Sequence, residues 1–264
     1  MIIDGHCHAG HGDGLTGPWD TNAPLGDYLA RASEAGITRT VLMAAFHSDY
    51  AVANKEVAAI VQSDPRRFIG FVFVNPVKDA GRIEAMVRTM VLRHGFRGIK
   101  AHQHDSKLTR EVCRVAAAYG LPVLYDVTGH TTQIELLATE YPRVRFIIPH
   151  LGSFADDWAA QRRVIDLMVR HRNVYADTSG VRRFDLLAEA IERAGPGKVI
   201  FGTDGPWLHP AVELSKIEQL GLAPVARSAV LGGNLLRLLG PHRRSYPRPV
   251  RHAARPGAVA GPAR

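Results

Sequence analysis

Cysteine is nearly absent from this 264-residue chain: Cys7 and Cys113 are the only two. Two thiols cannot build a disulfide scaffold, and their spacing is not that of a zinc knuckle. The sequence therefore points to a hydrophobic core in a reducing compartment, which we read as the cytoplasm. Long apolar runs are missing as well. No stretch approaches the roughly 20 residues a membrane span needs, and the start lacks the charged and then apolar pattern of a leader. The Gly-x-x-x-x-Gly-Lys-Ser/Thr phosphate motif is missing, and the Gly-x-Gly-x-x-Gly at Gly12-Asp-Gly-Leu-Thr-Gly17 runs into Pro18 rather than opening a helical segment. A nucleotide-binding reading has no support. Acidic residues are missing from residues 241–264, which carry Arg243, Arg244, Arg248, Arg251, Arg255 and Arg264. Setting those six charges aside reduces the net +8 to +2 for residues 1–240. The basic character thus belongs to a Pro/Ala/Arg-rich tail whose composition is that of a disordered, solvated segment. The expected partner is a small molecule, with no nucleic acid and no membrane, and a homo-oligomer is compatible with the composition.

What the sequence does contain is alternation. Short apolar, β-branched runs fall near residues 1–5, 39–46, 68–74, 96–101, 121–127, 144–149, 173–177 and 198–203. Between them lie stretches with helical spacing at 25–35, 51–63, 79–94, 109–119, 131–140, 157–171, 184–194 and 211–219. In the seventh of these, Leu186, Leu187, Ala190, Ile191 and Ala194 recur at intervals of three and four. Gly36, Gly95, Gly120 and Gly195 stand where helices commonly end. Strand followed by helix, repeated, predicts a parallel sheet. Eight repeats match a closed (β/α)8 TIM barrel better than an open doubly wound sheet. The barrel is expected to occupy residues 1–240 as a single domain, with the tail at 241–264.

Catalytic groups of such a barrel collect at the carboxyl ends of its strands. Here the first strand runs into His6-Cys7-His8, the second ends near His47, and the fourth runs into Lys100-Ala-His102-Gln-His104. The fifth leads to Asp126, the sixth to His150, the seventh to Asp177 and the eighth to Asp204. Residues i and i+2 of a strand share a face, so His6 and His8 can converge on one ion while Cys7 packs on the other side. His150 is read as a ligand, or as a base and electrophile beside an ion. Asp204 can ligate and take a proton from water, the two tasks of metal-assisted hydrolysis. Lys100 is placed to bind a substrate carboxylate or, as a carbamate, to bridge two metals. His102 is a candidate ligand or substrate contact, and His104, just past the strand, is a candidate substrate contact. Arg182, with Arg183, is placed to pair with an anionic substrate. Trp19, Trp158 and Trp207 lie near the loops that would line a pocket.

Six blocks, in order, carry a resemblance: Ile3-Asp-Gly-His-Cys-His8, Gly98-Ile-Lys-Ala-His102, Leu121-Pro-Val-Leu-Tyr125, Ile148-Pro-His-Leu-Gly152, Asn173-Val-Tyr-Ala-Asp-Thr-Ser-Gly180 and Phe201-Gly-Thr-Asp-Gly-Pro206. Residues 229–240 add a closing helix. Over residues 1–240 the chain resembles the amidohydrolase superfamily, in its amidohydrolase family 2 branch. The resemblance implies a distorted (β/α)8 barrel with one or two divalent ions, zinc before manganese. It also implies hydrolysis of amide, ester or lactone bonds, or decarboxylation of aromatic or unsaturated acids. By position it implies His6 and His8 as first-strand ligands, His150 as the sixth-strand histidine, and Asp204 as the carboxylate that ligates and shuttles protons. One departure stands out: Asp126 occupies the fifth-strand place where the family usually has histidine. Either Asp126 binds the ion, or His102 completes the ligand set, or the metal is lost, as in lactonases of this branch thought to work without one. The expectation is a metal-dependent hydrolase, with a decarboxylase as the alternative and a non-catalytic relative as the third reading.

Overall fold

The computed structural model describes residues 1–17, 21–154 and 157–240. Trp19 and the tail at 241–264 lie outside the described residues. The strands are β1 (Ile2–His11), β2 (Asn22–Ala23), β3 (Ile37–Ala44), β4 (Phe68–Phe73), β5 (Gly98–His102), β6 (Val123–Asp126), β7 (Phe146–Ile148), β8 (Val174–Asp177) and β9 (Val199–Ile200). They pair in the order β2-β1-β3-β4-β5-β6-β7-β8-β9. All pairings are parallel except that of β2, which runs antiparallel to the end of β1. The eight barrel strands are thus β1 and β3 to β9, each followed by helix: α1 (Leu25–Glu34), α2 (Tyr50–Ser63), α3 (Ile83–His94), α4 (Arg110–Tyr119), α5 (Thr132–Glu140), α6 (Trp158–Arg170), α7 (Phe184–Ala194) and α8 (Pro210–Gln219). Among the described residues, no helix is long and apolar enough to cross a membrane.

Local chemistry accounts for the helix ends. The Asp49 carboxylate accepts from the N–H of Ala51 at the start of α2, and Asp157 does the same for Ala160 in α6. Gly95 (φ 71°) and Gly120 (φ 63°) end α3 and α4 in the left-handed conformation that side chains resist.

The expected boundaries hold in the middle of the barrel and shift at its seam. β1 runs on to His11 rather than ending at residue 5, and its extension pairs with the short β2, which hydropathy did not reveal. β9 covers only two residues where six were expected. Beyond it the chain bends, with Asp204 at φ 57°, yet it closes the barrel against β1. Gly5 N–H donates to Phe201 O (2.9 Å), Asp204 N–H to His6 O (2.8 Å) and His8 N–H to Gly205 O (2.6 Å). Asp4 reinforces this seam. Its buried carboxylate accepts from the backbone N–H of His6 (3.0 Å) and of Thr203 (2.8 Å), and from the hydroxyls of Thr203 (2.6 Å) and Tyr28. Burial pushes the Asp4 carboxyl up to about 7 against the pull of these hydrogen bonds.

The barrel interior is layered. Ile3, Val41, Met43, Ile69, Phe71, Leu124, Ile147 and Ile200 pack together with Leu235, Leu238 and Leu239 of the last helix, α9 (Asn234–Leu239). On β6 and β5 the next inward positions are polar: Leu124 gives way to Asp126, and Gly98 to Lys100 and His102. β1 needs a correction to this period of two, because Ile3 and His6 both belong inside. The register shift between Asp4 and Cys7 supplies it. A β-bulge offsets the alternation by one residue, so His6 and His8 face the interior while Asp4 and Cys7 face outward.

Asp4→Ala would strand those donors in a dry seam. At about 1–3 kcal/mol per unsatisfied buried group, the expected loss is at least about 3 kcal/mol, read as a lower urea midpoint. Thr203→Val should lose less. An unchanged midpoint for Asp4→Ala would show that the barrel closes without this junction.

Candidate active site

The polar layer opens into a cavity of about 420 Å³ at the carboxyl ends of the strands. His6 and His8 project into it from β1, and their Nε2 atoms lie 3.3 Å apart. Asp204 Oδ1 is 3.4 Å from the first and 3.8 Å from the second. His8 Nδ1 lies 2.7 Å from the carbonyl oxygen of Ala44. A carbonyl only accepts, so Nδ1 carries the proton and Nε2 presents a lone pair. Burial first, then the charges of Lys100 and His6, holds the His8 imidazole well below its ordinary pKa and therefore neutral. Two imidazoles and a carboxylate, with donor atoms all within 4.8 Å, match the three-ligand set that catalytic zinc uses while keeping a position open. These residues fit a divalent ion.

Lys100 is buried beside the same group, its Nζ 3.4 Å from His6 Nε2. Asp126 and His102, the two candidates for completing the ligand set, are occupied with other partners. Asp126 Oδ1 accepts from Thr128 N–H at 2.8 Å, and its Oδ2 lies 3.2 Å from His102 Nε2 and 3.4 Å from His150 Nε2. The backbone N–H of His104 donates to His102 Nδ1 at 3.0 Å, so the His102 ring presents an N–H to Asp126. Neither residue joins the group formed by His6, His8 and Asp204.

His150 follows from this pairing. Its Nδ1 lies 2.7 Å from the carbonyl oxygen of Ser179 and its Nε2 faces the Asp126 carboxylate. Burial works against its charge, but the Asp126 hydrogen bond and the charges of Asp204, Asp126 and Asp177 outweigh it and raise the imidazole to about 9. Asp126, despite burial, is held well below the usual carboxylate range by His102 and His150. The seventh barrel strand adds Asp177, fully buried, with Oδ2 2.9 Å from His6 Nδ1. Burial raises its carboxyl, but His6 and the other partners prevail and lower it to about 2.

Four non-glycine residues among those described have positive φ: Thr128 (43°), His150 (57°), Leu151 (51°) and Asp204 (57°). All sit at or just beyond strand ends around the cavity. Each costs on the order of 1–3 kcal/mol, and such strain concentrates at functional sites.

Of the expected substrate contacts, Lys100 and Trp207 line the cavity. The Trp207 ring lies 4.9 Å from that of His8, and its N–H donates to Asn22 O. His104 is exposed and its Nε2 lies 2.7 Å from Thr16 O, and Arg182 is exposed; neither is among the cavity-lining residues. Arg183 stacks over Trp158 and pairs with Asp185. His47 accepts from Asp49 N–H and faces Asp13, also away from the cavity. Phe46, Phe154 and Leu208 form an apolar wall that the sequence did not reveal, because isolated apolar residues in loops carry no pattern. Asp177 and Ser179 had a signal, an i, i+2 polar pair at a strand end, but nothing in the sequence says that they meet His6.

In chelator-treated protein, His150 keeps its proton to about pH 9 when folded and to about 6.5 when unfolded. A raised folded pKa contributes stability that is complete below about 6.5 and is lost as pH rises through 9. The thermal midpoint should therefore fall across that interval, and Asp126→Asn should flatten the slope. Equal slopes in the two proteins would remove Asp126 as the cause.

A family model described as Amidohydrolase matches residues 3–240. Comparison with curated proteins finds no match. Among solved structures, 5-carboxyvanillate decarboxylase from Sphingomonas paucimobilis is similar at TM-score 0.72 and 16% identity, covering 90% of this chain and 98% of that one. A dihydroxybenzoic acid decarboxylase from a Polaromonas species, with bound manganese and 2-nitroresorcinol, is similar at 0.68 and 18%, covering 90% and 96%. A probable 2-pyrone-4,6-dicarboxylic acid hydrolase from Acinetobacter baumannii, with citric acid bound, is similar at 0.69 and 16%, covering 90% and 98%. At these identities the structures speak for the shared TIM-barrel fold, while the family match spans nearly all of the described chain. The chain belongs to the amidohydrolase family.

Proposed function

We propose that this protein is a metal-dependent hydrolase that cleaves an amide, ester or lactone bond in a small, carboxylate-bearing molecule. The observation that carries the reading is the convergence of His6, His8 and Asp204 at a cavity with His150 in its wall. A divalent ion held by His6, His8 and Asp204, zinc before manganese, would supply Lewis acidity and lower the pKa of a water toward about 7. The chain's own residues do the rest. Asp204 keeps an oxygen free to accept the proton of the attacking water. His150, held cationic by Asp126, sets a positive charge in the cavity wall that stabilises negative charge as it develops on the carbonyl oxygen. Lys100 is near enough to grip a substrate carboxylate, and Phe46, Phe154 and Trp207 give a planar substrate apolar faces to lie against.

That aromatic wall favours a second reading, decarboxylation of an aromatic or unsaturated acid. The two readings differ in their atoms. Hydrolysis incorporates solvent oxygen into the product, whereas decarboxylation releases carbon dioxide without it.

In ¹⁸O-labelled water, a panel of carboxylate-bearing lactones, esters and amides, run beside free aromatic and unsaturated acids, should yield labelled acid from the former. Chelator treatment should abolish turnover, and zinc or manganese should restore it. Asp204→Asn should lower kcat by about 10²–10⁴-fold, and Lys100→Met should raise KM more than it lowers kcat. Full activity in a metal-free preparation would sink the hydrolytic mechanism, and unlabelled product with carbon dioxide release would replace it with the lyase.

A further inference from the structure

The carboxylate of Asp177 has no part in the reaction proposed above, yet it touches both halves of the site. Its Oδ1 takes three donors: the N–H of His150 (3.1 Å), the N–H of Ser179 (3.1 Å) and the Ser179 hydroxyl (2.6 Å). Its Oδ2 faces His6 Nδ1 at 2.9 Å. The Ser179 oxygen also lies 3.2 Å from His6 Nδ1 and 3.0 Å from His150 Nδ1. With its one proton directed at Asp177, that hydroxyl offers only lone pairs to the two rings.

Both oxygens beside His6 Nδ1 are therefore acceptors, and the ring must carry its proton there. Nε2 is left unprotonated, 3.3 Å from His8 Nε2 and 3.4 Å from both Asp204 Oδ1 and Lys100 Nζ. The other tautomer would aim an N–H at these atoms and remove the ligand. We infer that Asp177 is a positioning residue: it locks His6 in the Nδ1–H tautomer and thereby sets the affinity of the group formed by His6, His8 and Asp204 for a divalent ion. The affinity half of this inference rests on reading that group as the ion site. Carboxylates behind ligating histidines typically contribute about 10–100-fold in affinity.

Asp177→Asn isolates the effect. The three donors around Oδ1 would claim the amide oxygen, turning the NH₂ toward His6. An NH₂ donates, so His6 would have to accept at Nδ1 and carry its proton on Nε2. Ser179→Ala is the companion variant, because it removes the hydroxyl from both rings and leaves the carboxylate against His6.

The experiment is long-range ¹H–¹⁵N correlation NMR of the histidine rings in the full-length, metal-stripped chain. His6 is assigned by its loss in His6→Gln, and zinc affinity is measured by chelator competition. The inference expects Nδ1–H in the wild type and in Ser179→Ala, and Nε2–H with about 10–100-fold weaker zinc binding in Asp177→Asn. An unchanged tautomer in Asp177→Asn overturns it, whatever zinc does. Should that variant fail to fold, an Nε2–H ring in the wild type, or a tautomer that switches in Ser179→Ala, overturns it equally. A tautomer that switches as expected while neither protein binds zinc supports the lock and overturns the ion reading instead.

Discussion

The seam between β1 and residues 201–205 is the constraint on which the site depends. The eighth barrel strand is too short to pair along its whole length, and closure falls to three backbone hydrogen bonds and the Asp4 carboxylate. Those same contacts place Asp204 beside His6 and His8, residues about two hundred positions apart in the chain. The bulge between Asp4 and Cys7 serves both ends at once, sending the Asp4 side chain outward to the seam and the imidazoles inward to the cavity. Barrel closure and the juxtaposition of His6, His8 and Asp204 therefore rest on the same contacts, and damage to either should be felt in the other.

Within the cavity the histidines divide according to their partners. A buried charge must be paired or it is expelled. His8 meets a neutral carbonyl and stays neutral, fit to ligate. His150 meets a carboxylate and is held as a cation, fit to polarise. The aspartate on the fifth barrel strand produces this difference. Where a histidine would add a neutral ring, Asp126 pairs with two neighbouring histidines and helps hold His150 charged. Lys100, beside the ligand group, adds a positive charge that also disfavours protonation of His6 and His8.

Much of the fold was legible because periodicity is a local property. Runs such as residues 68–74 are apolar on both faces and so read as buried parallel strands, and Gly95 and Gly120 mark helix ends at the positions observed. The site was legible in part, for a topological reason: strand ends of a barrel converge, so His6, His8, Lys100, Asp126, His150 and Asp204 could be expected to meet. His104 and Arg182 stand just past strand ends too, and there the rule weakens, since a loop residue can turn either way. His104 turned toward the carbonyl of Thr16.

The sequence by itself determined the barrel and which polar residues stand at its strand ends, because each follows from composition and spacing along one segment. Tertiary structure decided how those residues are paired. Whether Asp126 faces an ion or two histidines, which nitrogen of His6 is protonated, and that Asp177 stands behind it all depend on distances of about 3 Å between strands. No pattern within a single strand encodes them, because hydrogen-bond geometry is fixed only when the strands are brought together.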